Sequence, residues 1–452
     1  MEERLNCVIL AAGMGTRMRS ALPKVAHPIM GKPMIRYVAD VAASLSPEKI
    51  VVVTGHRSDV VEECLAGMGV SLARQTEQLG TAHALLTAEP DLGPGDILVL
   101  YGDVPLIQAP TLAAFIAFFR RSEGVCFMTT RVDDPSGYGR VIVGDKDAIT
   151  GIVEDSEAEG DIARIDIINT GICMIRRDLL SLVKAVTPDN KKHEFYLTDV
   201  CKTARAAGVT ATAFFHPRPQ EVLGINDRVD LLEAATAVKN AILERHMKAG
   251  VTIMGRETHI EADVVIGQDT VIYPDCYLMG KTEVGRNVFI GPHVVIKDSI
   301  IGDGVSIEGF SSLDGAKAAP GVRIGPFSRL RPNTVLAENV HIGNFVELKN
   351  ATIGEGTKAN HLTYIGDADV GAGTNIGAGT ITCNYDGKKK HRTTIGDRVF
   401  VGSNTELVAP VRIGNDAFVG AGSTITRNVP DGALAVTRAK QKHIEGYSRR
   451  KK

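Results

Sequence analysis

Aliphatic residues recur every six positions along the second half of the chain. Ile260, Ile266, Ile272, Leu278, Val284, Ile290 and Ile296 stand in unbroken steps of six. A step of five leads to Ile301, Ile307 and Leu313, and after a gap the series runs through Ile324, Leu330, Leu336, Ile342 and Leu348. It closes with Ile395, Val401, Leu407, Ile413, Val419 and Ile425. Glycine often follows the aliphatic residue, as at Gly267, Gly285 and Gly402, and a small or β-branched residue such as Thr270, Val288 or Thr405 stands four places after it. A period of six is neither helical nor that of an alternating strand. It predicts short parallel strands wound as a triangular coil, three sides to a turn, with the aliphatic residues stacked inside. At a strand spacing of about 4.8 Å, about nine turns make a rod roughly 40–45 Å long. The glycines are expected where the backbone must bend. A β-sandwich is the competing fold, and it does not account for so long a register.

The first half alternates between two other patterns. Apolar runs at Cys7–Leu10, Ile50–Val53, Ile97–Leu100 and Val125–Met128 read as buried parallel strands. Lys32–Ser44, Ser58–Ala66, Thr81–Ala88 and Thr111–Arg120 read as helices between them. Alternation of this kind predicts a doubly wound α/β sheet that binds ligands beyond the carboxyl ends of its strands. Between the halves, Leu231, Leu232, Ala235, Val238 and Ile242 recur at helical spacing, so Asp227–Ala249 reads as a helix ended by Gly250. The expected organisation is an α/β domain over residues 1–227, a linker helix over 228–250, and the coil with a tail over 251–452.

Composition narrows the classes. A net charge of −2 points to neither nucleic acid nor an anionic membrane surface. Seven scattered cysteines without a C-x-x-C pair fit a reducing compartment. No apolar run approaches the ~20 residues of a membrane span, and no secretory leader is evident at the start. A cytoplasmic protein is expected.

Two regions carry candidate chemistry. The first strand runs into Leu10-Ala-Ala-Gly-Met-Gly-Thr-Arg-Met18 and then Leu22-Pro-Lys24. Small residues let backbone N–H groups approach an anion, and a following helix end adds positive potential. The Walker loop's Gly-Lys-Ser/Thr is absent, and Met18 stands where the dinucleotide fingerprint has its third glycine. Arg17 and Lys24 can both reach a polyphosphate. In the coil, Arg331 and Lys349 are 18 residues apart, one turn of a triangular coil, so they stack on one face. Two cations so placed invite an anion. His361 comes near them in sequence, beside Tyr364. At Cys383–Thr394 the register jumps by thirteen, so about seven residues must bulge out as a loop. Lys388, Lys389, Lys390 and Arg392 on that loop are either a solvated tip or face an anionic ligand.

Leu-Ala-Ala-Gly-x-Gly-Thr-Arg-Met with Pro-Lys resembles the signature of nucleotidyltransferases that make sugar nucleotides. Gln75 with Gly80-Thr81, Tyr101-Gly-Asp103, Gly137-Tyr-Gly-Arg140, Gly151-Ile-Val-Glu154 and Ile168-Asn-Thr-Gly171 agree with it. Joined to the six-residue repeat, nearly the whole chain resembles the bacterial family of bifunctional N-acetylglucosamine-1-phosphate uridylyltransferase / glucosamine-1-phosphate N-acetyltransferase. The resemblance implies that the coil is a left-handed parallel β-helix and that three copies form a homotrimer. It implies Mg²⁺ on Asp103 and Asn226, with UTP and acetyl-CoA as co-substrates. It assigns Leu10, Ala11, Ala12, Gly13, Lys24, Gln75, Gly80, Thr81, Tyr101, Gly102, Asp103, Gly139, Glu154, Asn169 and Asn226 to UTP and the UDP-sugar. In the coil it makes His361 the catalytic base and gives Arg331, Lys349, Tyr364 and Asn375 to glucosamine 1-phosphate. Ala378, Asn384, Tyr385, Ser403, Ala421 and Arg438 would contact acetyl-CoA. One departure is Asn360, where the family commonly has glycine before the histidine. Two other readings compete: a nucleotidyltransferase with a purely structural or regulatory coil, and a non-catalytic sugar-nucleotide-binding trimeric scaffold.

Overall fold

The computed structural model describes residues 4–448 of the chain. Two compact units divide between Val238 and Lys239, inside the helix expected there.

The first unit is built on a mixed sheet. Its strands are β1 (Leu5–Ala11), β2 (Lys49–Thr54), β3 (Ser71–Arg74), β4 (Asp96–Tyr101), β5 (Val125–Arg131), β6 (Arg140–Val143), β7 (Ile149–Val153), β8 (Ile167–Ile175) and β9 (Ala211–Phe215). The sheet order is β9-β5-β8-β4-β1-β2-β3, with β6 pairing β8 and β7. β1 is parallel to both β2 and β4, as its apolar run suggests. The strand β8 was not foreseen; it runs antiparallel between β4 and β5, which leaves those two pointing the same way. Its run, Ile167-Ile-Asn-Thr-Gly-Ile-Cys-Met-Ile175, is broken by Asn169 and Gly171, where the register shifts, so the local pattern hides a central strand.

The helices that cover this sheet are α1 (Met34–Ser44), α2 (Ser58–Cys64), α3 (Thr81–Ala88) and α4 (Ala109–Phe119), all foreseen to within three residues at either end. α1 starts just after Pro33, whose fixed φ suits a helix entry. It buries Met34, Ile35, Val38, Ala39 and Ala42, one stripe at helical spacing. After α5 (Leu180–Lys184) and α6 (Val200–Ala206) comes α7 (Arg228–Lys248). α7 buries Ala234, Val238, Ile242, Leu243 and His246, while Leu232, expected on that stripe, is 68% exposed.

The second unit is the coil. One of its faces is eleven strands deep, from Thr252–Ile253 to Leu434–Ala435, against the nine or so turns expected. The extra ranks lie beyond Ile260 and Ile425, where the aliphatic series is not apparent. The gaps in that series are also filled. Ala318 continues the stack after Leu313, and Ile353, Ala359, Ile365, Val370, Ile376 and Thr382 carry it past Leu348. Sides of five residues alternate irregularly with sides of six, so turns of 17 and 18 residues mix. The stretch from Phe327 to Tyr364, which holds Arg331, Lys349 and His361, is therefore continuous coil.

The glycines also play a different part from the one expected. Those that follow the aliphatic residue, Gly325 at φ 99° excepted, are not at the bends. A Cβ on Gly267 would sit 2.6 Å from the carbonyl carbon of Gly285 in the next turn, and one on Gly302 would sit 2.8 Å from the Pro320 nitrogen. They are required by close stacking of turn on turn. The bends fall two or three residues after the aliphatic residue, at positive φ: Asp269, Asn287, Gly304, Gly321, Asn339 and Gly356 form one such column. Buried hydroxyls finish the corners. Thr270 Oγ1 donates to the Gly285 carbonyl at 2.9 Å and accepts from the Val288 amide at 3.1 Å.

A second column of left-handed residues includes His293, Phe310, Phe327, Phe345 and Leu362. Phe310, Phe327 and Phe345 stack with centroids 5.0 and 5.3 Å apart, and His293 extends the ladder 4.8 Å from Phe310. Phe310, Phe327 and Phe345 thus stand at a corner. Phe289, Phe400 and Phe418 lie in strands.

Candidate active sites

In the first unit the carboxyl ends of β1 and β4 open into a cavity of about 400 Å³. Of the residues expected there, Leu10, Ala11, Ala12, Gly13, Lys24, Gln75, Gly80, Thr81, Tyr101, Asp103 and Asn226 line it. The loop after β1 turns through Gly15 at φ 61°, and its Cβ position is filled by the Lys24 side chain. The chain then makes two 3-10 turns, Thr16–Met18 and Lys24–Ala26, and no α-helix begins until Met34. The helix end foreseen directly after this loop is absent, and the α-helix N-terminus at the cavity is instead that of α3, with Gly80 and Thr81. Gly80, at φ 118°, brings the start of α3 against the Phe195 backbone, where any side chain would collide. Gln75 spans the wall: its Nε2 donates to the Gly80 carbonyl at 3.1 Å and lies 2.9 Å from His83 Nδ1.

The polar heart of the cavity is Asp103, just past β4, in an ion pair with Lys24. The Ile225 amide donates to the Asp103 carbonyl at 2.9 Å, which brings Asn226 to the same place. Asn226 Oδ1 accepts from Arg17 at 2.8 Å, and its backbone amide donates to Asp230 at 2.7 Å. A carboxylate and an amide oxygen, both facing the cavity and both held by cations, are hard donors of the kind Mg²⁺ takes.

Gly139, Glu154 and Asn169 do not line the cavity but cluster beside it. The Asn169 amide donates to the Gly139 carbonyl at 2.8 Å, and Thr198 Oγ1 donates to Glu154 at 3.1 Å. Burial raises the Glu154 carboxyl above its ordinary range, an effect that the Thr198 hydroxyl opposes. Tyr101 joins cluster and cavity; burial, and then the neighbouring Cys173, Glu154 and Asp103, push its hydroxyl up. Gly102 comes next, its amide donating to the Leu10 carbonyl at 2.9 Å. Gln78, Thr16 and Glu194 line the cavity without having been foreseen. Gln78 Nε2 holds the Ala12 carbonyl at 2.8 Å, and its place three residues after Gln75 was the only hint.

In the coil, the ladder aligns the expected residues along two corners. Asn344 is in register with His361, and the Ala359–Ile376, Ile376–Val401 and Val401–Val419 pairs set Ala378, Ser403 and Ala421 on the corner below it. Arg438 ends this line, its guanidinium 3.8 Å from the Cβ position of Gly420. Asn375 pairs with Lys358 one turn above, on the strand leading to that corner. His361 is exposed, and its Nδ1 lies 2.8 Å from Asn344 Oδ1. Asn360, before it, buries an unpartnered Oδ1, while its carbonyl lies against Gly343.

The neighbouring face holds the cations. Leu330 and Leu348 pair, so Arg331 and Lys349 stack as foreseen. Their charges are not left bare: Arg331 meets Glu347 at 2.9 Å. The extruded segment lies between Cys383 and Thr393, the length expected. Tyr385 bridges Lys390, and Asp386 gathers the Lys389 amide, the His391 ring and the Lys388 amide, which hold its carboxyl down at about 2. Arg392 clamps Asp369. Lys390 comes back against Lys349, whose proximity and charge lower its pKa. Asn384 is buried beside Tyr364, while Tyr385 is 61% exposed. Asn344 and Glu347 escaped sequence reasoning because each sits a whole turn away from its partner, and the approach of Lys390 to Lys349 was not foreseen because a loop separates them.

A nucleotide-sized cavity of this type on an α/β sheet, joined to a hexapeptide coil with a corner histidine, defines a two-headed transferase. Residues 7–200 match the model of the MobA-like NTP transferase domain, and residues 263–298 and 392–427 match the bacterial transferase hexapeptide repeat. Curated relatives called bifunctional protein GlmU align end to end. The one from Pelobacter propionicus is 44% identical over 100% of this chain and 99% of its own length. Those from Geotalea uraniireducens and Alkalilimnicola ehrlichii are 46% identical, covering 99% of this chain and 99% and 97% of theirs. The chain belongs to the bifunctional GlmU family, and it is an enzyme with both acetyltransferase and uridylyltransferase activity. A solved UDP-glucose pyrophosphorylase with UDP-glucose matches 53% of this chain and 99% of its own at 20% identity and a TM-score of 0.44, too remote to bear on the site.

Proposed function

We propose that each unit carries one half-reaction and that the residues gathered above perform it. Glucosamine 1-phosphate is acetylated on the coil, and N-acetylglucosamine 1-phosphate then attacks the α-phosphorus of UTP on the α/β sheet, releasing pyrophosphate and giving UDP-N-acetylglucosamine. The observation that carries the reading is the meeting of Lys24, Asp103 and Asn226 in one cavity with the glycine loop. Uridine would rest on Leu10–Gly13, Gln75, Gly80 and Thr81, with Lys24 and Arg17 on the phosphates. Gly139, Glu154 and Asn169 would hold the sugar and its N-acetyl group. Asp103 and Asn226 would hold Mg²⁺, which when bound supplies charge neutralisation to the phosphates. No general base is needed here, because the attacking phosphate is already ionised.

On the coil, His361 serves as base. Asn344 Oδ1 accepts a proton-bearing Nδ1, which leaves Nε2 with its lone pair. Nε2 takes the proton as the 2-amino group bonds to the thioester carbon and the C–S bond breaks. Arg331, Lys349 and Lys390 hold the sugar phosphate, and Tyr364 and Asn375 the ring. Ala378, Ser403, Ala421 and Arg438 line the corner for acetyl-CoA, with Asn384 and Tyr385 beside it. Self-association as a homotrimer is supported by the ladder of Phe310, Phe327 and Phe345, each about half exposed and each at a φ that costs a bulky residue about 1–3 kcal/mol. Seven free cysteines accord with the cytoplasm.

The test is a paired assay: glucosamine 1-phosphate with acetyl-CoA, and N-acetylglucosamine 1-phosphate with UTP and Mg²⁺. Asp103→Asn is expected to cut the second by about a hundredfold or more, the scale of losing one charged partner of a reacting group. Acetyl transfer should persist. Equal loss of both activities in a folded variant would remove the local role.

A further inference from the structure

One corner of the coil carries a polar stack that neither the repeat nor the reaction scheme explains. Asn350, Asp367 and Asn384 occupy successive turns. Asn350 Nδ2 donates to Asp367 Oδ1 at 2.7 Å, and Asn384 Nδ2 donates to Asp367 Oδ2 at 2.5 Å. Asp367 is 8% exposed and held at φ 48°. A buried carboxylate is costly unless its lone pairs are met, and here two side-chain amides meet them. Burial pushes the Asp367 carboxyl up, but hydrogen bonds from Asn350 and Asn384, with the charges of Lys349 and Lys390, outweigh it and bring the pKa below its ordinary range. The group is therefore a carboxylate, and a carboxylate is an acceptor only.

That fact sets the orientation of Asn384. Its amide must turn NH₂ toward Asp367, and the same nitrogen lies 3.5 Å from the Tyr364 hydroxyl. Gly366 makes room, since a Cβ there would sit 2.9 Å from Asn384 Nδ2. The Asn384 Oδ1 is left on the far side of the carboxamide, and among the described residues no protein donor reaches it. We propose that Asp367 is a positioning residue for acetyl transfer: it locks the Asn384 carboxamide with its oxygen outward, ready to accept an N–H or O–H of the acyl donor. The proposal rests on the reading that places Asn384 at the acetyl-CoA site. In Asp367→Asn the stack can keep both contacts only if one neighbouring amide flips. A flip of Asn384 would present NH₂ where the donor's hydrogen should go.

The experiment is steady-state acetyl transfer by the full-length chain, with Asp367→Asn, Asn384→Ala and the double variant. Each is checked for an intact thermal transition. Asp367→Asn is expected to raise the KM for acetyl-CoA by roughly ten- to a hundredfold, with kcat and the KM for glucosamine 1-phosphate changed far less. The double variant should be no worse than Asn384→Ala, because Asp367 acts through that side chain. Additive effects, or a wild-type KM in Asp367→Asn, overturn the proposal. If Asn384→Ala itself is wild type, the placement of Asn384 fails and the proposal with it, a result distinct from failure of Asp367 alone. Should Asp367→Asn not fold, the exchange Asp367→Asn with Asn384→Asp restores one carboxylate and one amide to the corner. It should fold yet keep the raised KM, and a KM returned to the wild-type value would mean that the stack serves only the fold.

Discussion

At the scale of single residues, two glycines of one turn separate two physical demands. Gly302 has an ordinary φ but no room, since Pro320 of the next turn lies where its side chain would go. Gly304 has open space but φ 67°. Asparagine tolerates the left-handed region, and Asn287 and Asn339 hold the same corner elsewhere. Gly304→Asn is therefore expected to melt close to the wild type, whereas Gly302→Asn should lose about 1–3 kcal/mol or more by overpacking. Thermal or denaturant unfolding of the two variants decides it. His361 belongs to this scale too. Its loss in His361→Ala should slow acetyl transfer ~10²–10⁴-fold, the worth of a positioned base. Uridylyl transfer measured on the same sample should be unchanged. A variant that kept the wild-type rate and the same acidic limb of its pH profile would make this histidine structural.

At the scale of elements, the end of α7 carries a titration of its own. His246 is buried, and that burial, with Arg245 beside it, lowers its pKa from 6.5 to about 4. Arg245 Nη2 lies 3.3 Å from the ring nitrogen, where the neutral form offers a lone pair. The folded ring is thus neutral at pH values where the unfolded one is protonated. Between about 4 and 6.5 the unfolded chain binds the extra proton, so stability rises with pH there. The contribution is complete above about 6.5 and is lost as pH falls toward 4. His246→Gln keeps an acceptor and removes the titration. The midpoint of the second unit's unfolding should then fall less steeply across that window than in the wild type, and identical slopes would count against the assignment.

The elements themselves were legible to differing degrees. α3 was read to the residue and β1, β2 and β4 to within two, because amphipathic stripes and continuous apolar runs are local signals. β8 was not, because Asn169 and Gly171 interrupt its apolar run where its register shifts. The coil's period was plain, yet its five-residue sides were read as gaps, since a shortened side moves the stack without changing the residue types that make it.

At the scale of the whole molecule, the proposal assigns uridylyl transfer to the residues that precede α7 in sequence and acetyl transfer to those that follow it. A fragment of residues 1–250 is expected to retain uridylyl transfer and to lack acetyl transfer. A folded fragment inert with UTP would show that the cavity residues are insufficient alone.

The sequence by itself determined the inward stack of the coil and the α/β alternation, and by its motifs and family resemblance it nominated Lys24, Asp103, Asn226, His361, Arg331 and Lys349 as the proposed reactive set. Those come from period and motif, which are properties of neighbours along the chain. Only the tertiary structure decided which of them meet. Lys24, in the 3-10 turn after the glycine loop, reaches Asp103 just past β4, Asn344 meets His361 one turn away, and Asp367 receives amides from the turns on both sides. Such contacts depend on the register between strands far apart in sequence. That register is set by the stacking of whole turns, five-residue sides included, and no short window of residues contains it.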